Sequence, residues 1–366
     1  MAYVSLSTAN LPDPAIDNAV GQEASDHFNT ALYTGNASSR SLDMGHATDW
    51  VWLKMRDGTD SHVLADSVRG ADEFLSSNNT NAKNTANGCV TAFNSNGFSL
   101  GSQGIVNDNG KSFVAWSWNM GGSTVSGTAT GGGGSRAYSY RASTKAGLSV
   151  LAYTGDGTDG GEVPHGLSGG VDAVFIKRRN SSLDWHCFYA SGLLTGESYF
   201  LSLNKTDGQS TTSYGTADLN DSGTALTLKA GGNGSRNVNA SSDTYVAYIF
   251  KSVEGFSKIG SYEGTNAAGG PFVYLGFRPA LVILKLADSS SNGFFMFDNK
   301  RDTHNELDDY LLANDNGAEI NQAARAVDFY SNGFKLQTDA EFDPNASGTF
   351  VYMAFAEQPF KFANAR

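Results

Sequence analysis

Three apolar stretches that run into a lysine punctuate an otherwise turn-rich chain. They are Trp50-Val51-Trp52-Leu53-Lys54-Met55-Arg56, Val174-Phe175-Ile176-Lys177-Arg178-Arg179 and Leu281-Val282-Ile283-Leu284-Lys285. The lysines stand 123 and 108 residues apart. Around each, short β-branched and aromatic runs alternate with Gly/Asn/Ser/Asp clusters, the pattern of strands joined by tight turns. Phe113-Val114-Ala115-Trp116-Ser117-Trp118 puts Val114, Trp116 and Trp118 on one face at period two. Asn96-Gly97 between Phe93 and Phe98 reads as a hairpin turn.

Further landmarks recur in the same order. Tyr33, Tyr153 and Tyr262 are 120 and 109 residues apart, each two residues before a glycine; Phe74, Phe200 and Tyr310 are 126 and 110 apart; Phe113, Tyr245 and Tyr352 are 132 and 107 apart. Collinear matches at four places point to one β-rich unit written three times. A period near 110 residues is far longer than a solenoid repeat and suits a β-sandwich. The fold expected is therefore all-β, three tandem sandwich-like units with little helix. Residues 1–27 read as an N-terminal arm, 28–120 as the first unit, 121–135 as a flexible Gly-rich linker around Gly131-Gly132-Gly133-Gly134, 136–254 as the second unit and 255–366 as the third. The best helix candidate is 305–312, with Glu306, Asp308 and Asp309 near its start.

Composition narrows the function. The chain has 366 residues, 43 of them glycine, and a net charge of −12, which repels a phosphate backbone and an anionic membrane. No run approaches the 18 apolar residues of a membrane span, and Met1-Ala2-Tyr3-Val4-Ser5-Leu6 has no basic region of a secretion signal. Cys89 and Cys187 lie in apolar stretches and read as buried free thiols of a protein made in a reducing cytosol, with one bridge between them as the alternative.

Candidate chemistry is thin. Gly155-Asp156-Gly157-Thr158-Asp159-Gly160 has the letters of a dinucleotide fingerprint but no helix after it, and Gly110-Lys111-Ser112 leads into a strand, so neither cradles a phosphate. No cofactor is expected. Asp298, Asp302, Glu306, Asp308 and Asp309 with His304 form the densest acidic region; a solvated face is favoured over calcium, since the spacing fits no EF-hand. No serine sits in a nucleophile elbow, and the histidines do not cluster. Asp66/Arg69 and Asp298/Arg301 share one spacing and read as local ion pairs that fix a turn. The five tryptophans read as core. Tyr138, Tyr140 and Tyr214, with Asp156 and Asp159, are the better candidates for ligand contact, since exposed rings suit the C–H faces of sugars and acidic loops offer acceptors.

Several strings resemble a family of virion proteins of tailed phages, frequent in marine ones and usually labelled tail-fibre-like or structural. They are Asp66-Ser67-Val68-Arg69-Gly70, Asn94-Ser95-Asn96-Gly97-Phe98-Ser99-Leu100-Gly101, the stretch 113–118, Gly269-Gly270-Pro271-Phe272-Val273-Tyr274-Leu275-Gly276-Phe277-Arg278-Pro279-Ala280, and Met353-Ala354-Phe355-Ala356-Glu357-Gln358-Pro359-Phe360-Lys361. The resemblance runs from about residue 30 to 366 and brings no catalytic residues. Longer relatives carry an N-terminal module where this chain has residues 1–27, which leaves tail and capsid placements both open. It implies a non-enzymatic virion surface appendage, assembled in the host cytoplasm, docked to other virion proteins through 1–27 and displaying loops to a host glycan or protein. A homo-oligomer is expected, with a trimer the first guess. A capsid-decorating protein is the alternative, and a polysaccharide-degrading virion enzyme the third.

Overall fold

The computed structural model describes residues 24–356 apart from 86–87, 197–198, 212–215, 220–222, 230–237, 291 and 338–343. It is nearly all β, and the same two-sheet unit occurs three times. In the first unit, the strand Phe28–Thr34 pairs with Ser112–Trp118, which pairs with Trp50–Met55, which pairs with Val63–Asp66. The second unit repeats this order with Leu148–Thr154, Thr244–Phe250, Ala173–Arg178 and His186–Tyr189, and the third with Ser257–Gly264, Gly348–Ala356, Pro279–Leu286 and Phe295–Asp298. A smaller three-stranded sheet covers each: Arg40–Asp43, Gly97–Leu100 and Val90–Asn94; Gly161–Pro164, Ala225–Lys229 and Thr216–Asp218; Phe272–Tyr274, Gly333–Leu336 and Val327–Tyr330.

The apolar runs owe their unbroken character to burial on both faces. Val51, Leu53 and Met55 point into the first unit's own sandwich, whereas Trp50 and Trp52 point into a core shared by all three units. Val174 and Ile176 line the second sandwich while Phe175 joins the shared core. A strand covered on one side would alternate with polar residues; one covered on both cannot. The equivalent aromatics Trp118, Phe250 and Phe355 meet at the centre, with ring centroids 5.6 Å apart for Trp118–Phe355 and 6.3 Å for Phe250–Phe355. Trp50 stacks on Trp118 at 4.0 Å and on Tyr248 at 4.6 Å. All five tryptophans are buried, and both cysteines are buried free thiols.

The units close a ring. Each sends a loop, following an asparagine, onto its neighbour's lysine strand. Asn78, Asn204 and Asn314 accept the backbone N–H of His62, Trp185 and Phe294 at 3.0, 2.9 and 2.8 Å. Five residues beyond each asparagine, the N–H groups of Lys83, Gln209 and Glu319 donate to the carbonyls of Arg179, Ala287 and Arg56 at 2.8, 2.6 and 2.7 Å. The first unit thus grips the second, the second the third, and the third the first. The last seam adds an Arg56–Glu319 pair at 2.6 Å, to which Arg301 also binds at 3.0 Å.

Several expectations change. Residues 121–135 are not a flexible linker: Val125–Gly131 and Gly134–Ser143 form a hairpin added to the second unit's sheet, and the glycine run is its turn, where Gly131, Gly132 and Gly133 take positive φ that a side chain would resist. Residues 305–312 are not a helix; Asp309–Leu312 is a strand, because Tyr310 and Leu311 are drawn into the shared core beside Phe295. The partner of Phe113 and Tyr245 in the third unit is Phe350, not Tyr352, since Tyr33, Tyr153 and Tyr262 pair with Phe113, Tyr245 and Phe350. Part of the expected arm is packed: Ala24 is buried, and the Asn119 amide donates to the Asp26 carbonyl. Residues 1–23 lie outside the described residues.

Candidate functional site

Each unit carries two polar devices that hold its frame. At the end of the first strand, the Tyr33, Tyr153 and Tyr262 hydroxyls donate to the carbonyls of Val106, Val238 and Pro344 at 2.6, 2.5 and 2.5 Å. The next residues, Asn107, Asn239 and Asn345, are fully buried; their Oδ1 atoms accept the N–H groups of Asn36, Asp156 and Thr265 at 3.0, 3.1 and 2.9 Å. Their Nδ2 groups donate to the carbonyls of Ser38, Thr158 and Ala267 at 2.7, 2.8 and 2.9 Å. The glycine of each Tyr-x-Gly exists for the same corner. A Cβ on Gly35, Gly155 or Gly264 would lie 2.1, 2.4 or 1.9 Å from the carbonyl oxygen that follows the asparagine.

The second device is the lysine. Lys54, Lys177 and Lys285 are buried, not close to solvent as an end-of-strand cation would be, because the neighbouring unit's loop covers each strand end. Lys177 donates to the carbonyls of Thr80 and Arg178 at 3.1 and 2.9 Å, and Lys285 to those of Thr206 and Asn292 at 2.9 and 2.7 Å. Lys54 donates within its own turn, to Met55 and Gly58 at 2.6 and 3.2 Å. Burial pushes the amines down to about 8 at Lys54 and Lys177 and to about 7 at Lys285. Each amine is committed to main-chain carbonyls; Lys177 and Lys285 fasten seams to the neighbouring unit, whereas Lys54 closes its own turn.

The Asp-x-x-Arg pairs are ion pairs as expected, 2.5 Å for Asp66–Arg69 and 2.6 Å for Asp298–Arg301, and both also bind the neighbouring unit. Tyr248 accepts from Arg69 at 2.7 Å and donates to Asp66 at 3.0 Å; the equivalent Trp116 donates to Asp298 at 3.1 Å. Asp302, Asp308 and Asp309 come together, with carboxylate oxygens within 4.8 Å of one another. The Asp302 carboxylate accepts the N–H groups of Asp308 and Asp309 at 2.9 and 2.7 Å, and the Asn321 amide donates to the other two. Burial, then the charges of Asp309 and Asp308, hold Asp302 above the usual carboxylate range. The turn is satisfied from within.

The expected ligand residues do not converge on one exposed surface. Tyr138 and Tyr140 are half-buried on Gly134–Ser143, stacked at 6.0 Å and packed over the second unit's sandwich. The carboxylate of Asp156 is engaged by the buried Arg136 at 2.9 Å, by Thr158 at 2.8 Å and by Asn239 at 3.1 Å. Burial opposes its ionisation, but these hydrogen bonds and the Arg136 charge hold it below the usual range. Asp159 is exposed in the same loop, and Tyr214 lies outside the described residues.

The exposed aromatic surface is elsewhere. Phe272 (45% exposed), Tyr274 (56%) and Tyr330 (39%) share the outer sheet of the third unit. Period two buries Val273 and turns both neighbours outward. Phe272 meets Tyr330 edge-on at 5.9 Å, Lys258 lies 5.6 Å from the Tyr274 ring centre, and the Tyr330 hydroxyl donates to Asp328 at 3.0 Å. The sister units show what the fold requires here. By register, Phe272 and Tyr274 correspond to Ser41 and Asp43 in the first unit and to Glu162 and Pro164 in the second, and Tyr330 corresponds to Asn94. Ser, Asp, Glu, Asn and Pro serve at these places and none is aromatic, so the third unit's rings are surplus to folding. The alternation Phe272-Val273-Tyr274 was the available signal, and alignment of the three units supplies the contrast.

A repeated β-sandwich frame with buried ties at its seams and, among the described residues, one exposed aromatic face is what the chain offers to a partner. The chain belongs to the family described as "Domain of unknown function (DUF7483)", whose model matches residues 23–359. No curated protein and no solved structure matches it. Among the described residues, no helix is long and apolar enough to cross a membrane.

Proposed function

We propose that this chain is a non-enzymatic surface component of a tailed-phage virion that attaches to a host-surface glycan through Phe272, Tyr274 and Tyr330. The observation that carries the glycan reading is the set of three exposed rings at positions where the sister units hold no aromatic residue. Aromatic faces pack on the C–H faces of pyranose rings, and the flanking Lys258 offers a donor to hydroxyls. The virion placement rests on the resemblance of the strings 66–70, 94–101, 113–118, 269–280 and 353–361. Docking through residues 1–27 and assembly into a homo-oligomer belong to the same proposal; several copies on one particle would raise weak single-site binding.

Host-cell binding by labelled protein tests it. The Phe272→Ala/Tyr274→Ala pair should keep the thermal midpoint, since both side chains are exposed, and weaken cell binding at least tenfold, about 1.4 kcal/mol. Unchanged binding would defeat the aromatic face as the contact. Label found on the capsid alone would replace host attachment with capsid decoration, and release of saccharide from host polysaccharide would replace it with an enzyme.

A further inference from the structure

The three seams are built to one plan, and among the described residues one of them lacks a part. The N–H groups of Ser67, Ala190 and Asn299 donate to the carbonyls of Asp49, Asp172 and Ala280 at 2.8, 2.8 and 3.0 Å, which makes those three acceptors equivalent. In the first unit the Asp49 carboxylate takes the N–H groups of Met120 and Gly121 at 2.9 and 3.0 Å, the Ser67 hydroxyl at 2.9 Å and the Arg141 guanidinium. In the second, Asp172 takes the N–H of Ser252 at 2.6 Å. In the third the position is a methyl group, Ala280.

A cavity of about 230 Å³ lies against that methyl, at the seam between the first and third units, lined by Phe28, Thr30, Ala280, Asn299 and Lys300 among others. Thr30 and Asn299 are 6% and 8% exposed, and Thr30 Oγ1 and Asn299 Oδ1 are buried without a hydrogen-bond partner. Thr30 pairs with Trp116, as Val150 pairs with Tyr248 and Ile259 with Met353, so the hydroxyl is a departure from two apolar sisters. Asn299 stands where Ser67 donates to Asp49. Lys300 is exposed, and its sisters by the same register are Val68 and Ser191. Buried polar atoms left without partners cost stability, so a ligand that pairs with them would gain what the seam otherwise forgoes.

We propose that this pocket binds a small carboxylate, whose carboxyl group takes the place that Asp49 and Asp172 fill in the sister seams. The Thr30 hydroxyl donates to it. The Asn299 amide does what Ser67 does for Asp49, with its nitrogen turned inward, because the two ends of an amide are interchangeable in assignment. Lys300 at the rim supplies the counter-charge that a half-buried carboxylate needs. At roughly 30 Å³ per water, the cavity has the bulk of several waters, enough for a small organic acid. The site is separate from the aromatic face and stands or falls without it.

Titration calorimetry on the full chain with acetate, glucuronate and glucose tests this. Acetate and glucuronate should bind, and glucose at least tenfold more weakly. Ala280→Asp, which restores the sister units' carboxylate, should fold with an unchanged or higher thermal midpoint and abolish binding of both acids. Lys300→Gln should weaken binding about tenfold and flatten its salt dependence. Equal binding of glucose and glucuronate, no binding of either acid, or full binding by Ala280→Asp would each overturn the proposal. Should Ala280→Asp not fold, Asn299→Ala/Lys300→Gln takes its place, and undiminished acid binding by that pair overturns the proposal equally. Glu357, next in sequence to Ala356 on the pocket wall, is the competing source of a carboxylate. Binding that appears only in Glu357→Gln would show the chain's own carboxylate as the occupant and overturn the external ligand.

Discussion

At the residue scale, this protein spends its buried polar groups on connection. The three asparagines 107, 239 and 345 each close one corner with bonds to residues about 70–80 positions away, and they are single polar residues in loops with no periodic pattern around them. That is why they were not legible in the sequence, whereas the tyrosines and glycines they serve were. One histidine makes the same commitment in neutral form. His62 accepts from Trp52 Nε1 at 2.8 Å and its other nitrogen meets the Leu312 carbonyl at 3.0 Å, so the ring bridges two units without charge. Burial pushes it down to about 3, and burial likewise lowers His165 and His186 to about 4. Below about 6.5 the unfolded chain takes up protons that the folded rings refuse. The stability these groups contribute is complete above pH 6.5 and is lost as pH falls toward 3–4. At pH 5 the loss is about 2 kcal/mol for a fully buried imidazole. Urea midpoints at pH 7 and pH 5 should show the fall, and His62→Gln should shrink it.

At the element scale, strand identity was legible and strand surroundings were not. The Lys-terminated runs, the Tyr-x-Gly strand and the Phe/Tyr-Leu-x-x-Asn stretch recur where the structure places equivalent elements. Misreadings arose where local composition was overruled by partners. A tetraglycine reads as slack, but between two strands in register it is a turn. Acidic residues before an apolar pair read as a helix start, but Leu311 opposite Met296 is held as a strand. The aromatic face was not legible because a three-residue alternation such as Phe272-Val273-Tyr274 does not say which of its two sides the sheet covers. The hairpin carries its own prediction. Arg136 is fully buried and paired with Asp156, so trypsin should leave the Arg136–Ala137 bond intact in native protein. A linker would be cut there first; mass spectrometry of an early digest decides.

At the scale of the whole molecule, three sandwiches share one aromatic core and three interlocking seams, so they cannot be independent domains in the energetic sense. The second unit taken alone, residues 121–254, would expose Trp185, Tyr248 and Phe250, which are almost fully covered in the full chain. Exposed apolar area costs roughly 25 cal/mol per Å², and three large rings amount to several kcal/mol, comparable with the stability of a small domain. Expressed alone, that fragment is expected to give no cooperative urea transition, while the full chain gives one. A native-like fragment with its own sharp transition would show the units to be autonomous.

The closing seam has a consequence for how the molecule is made. Arg56 and Glu319 meet across 263 residues of chain. At a synthesis rate of about 5–20 residues per second, the first unit waits on the order of tens of seconds before its last partner leaves the ribosome. Throughout that interval the face bearing Trp50, Trp52 and Trp118 is without its cover from the third unit. The nascent chain therefore carries a large sticky surface for most of its synthesis, and its yield in a cell should depend on chaperones that shield it until the third unit arrives.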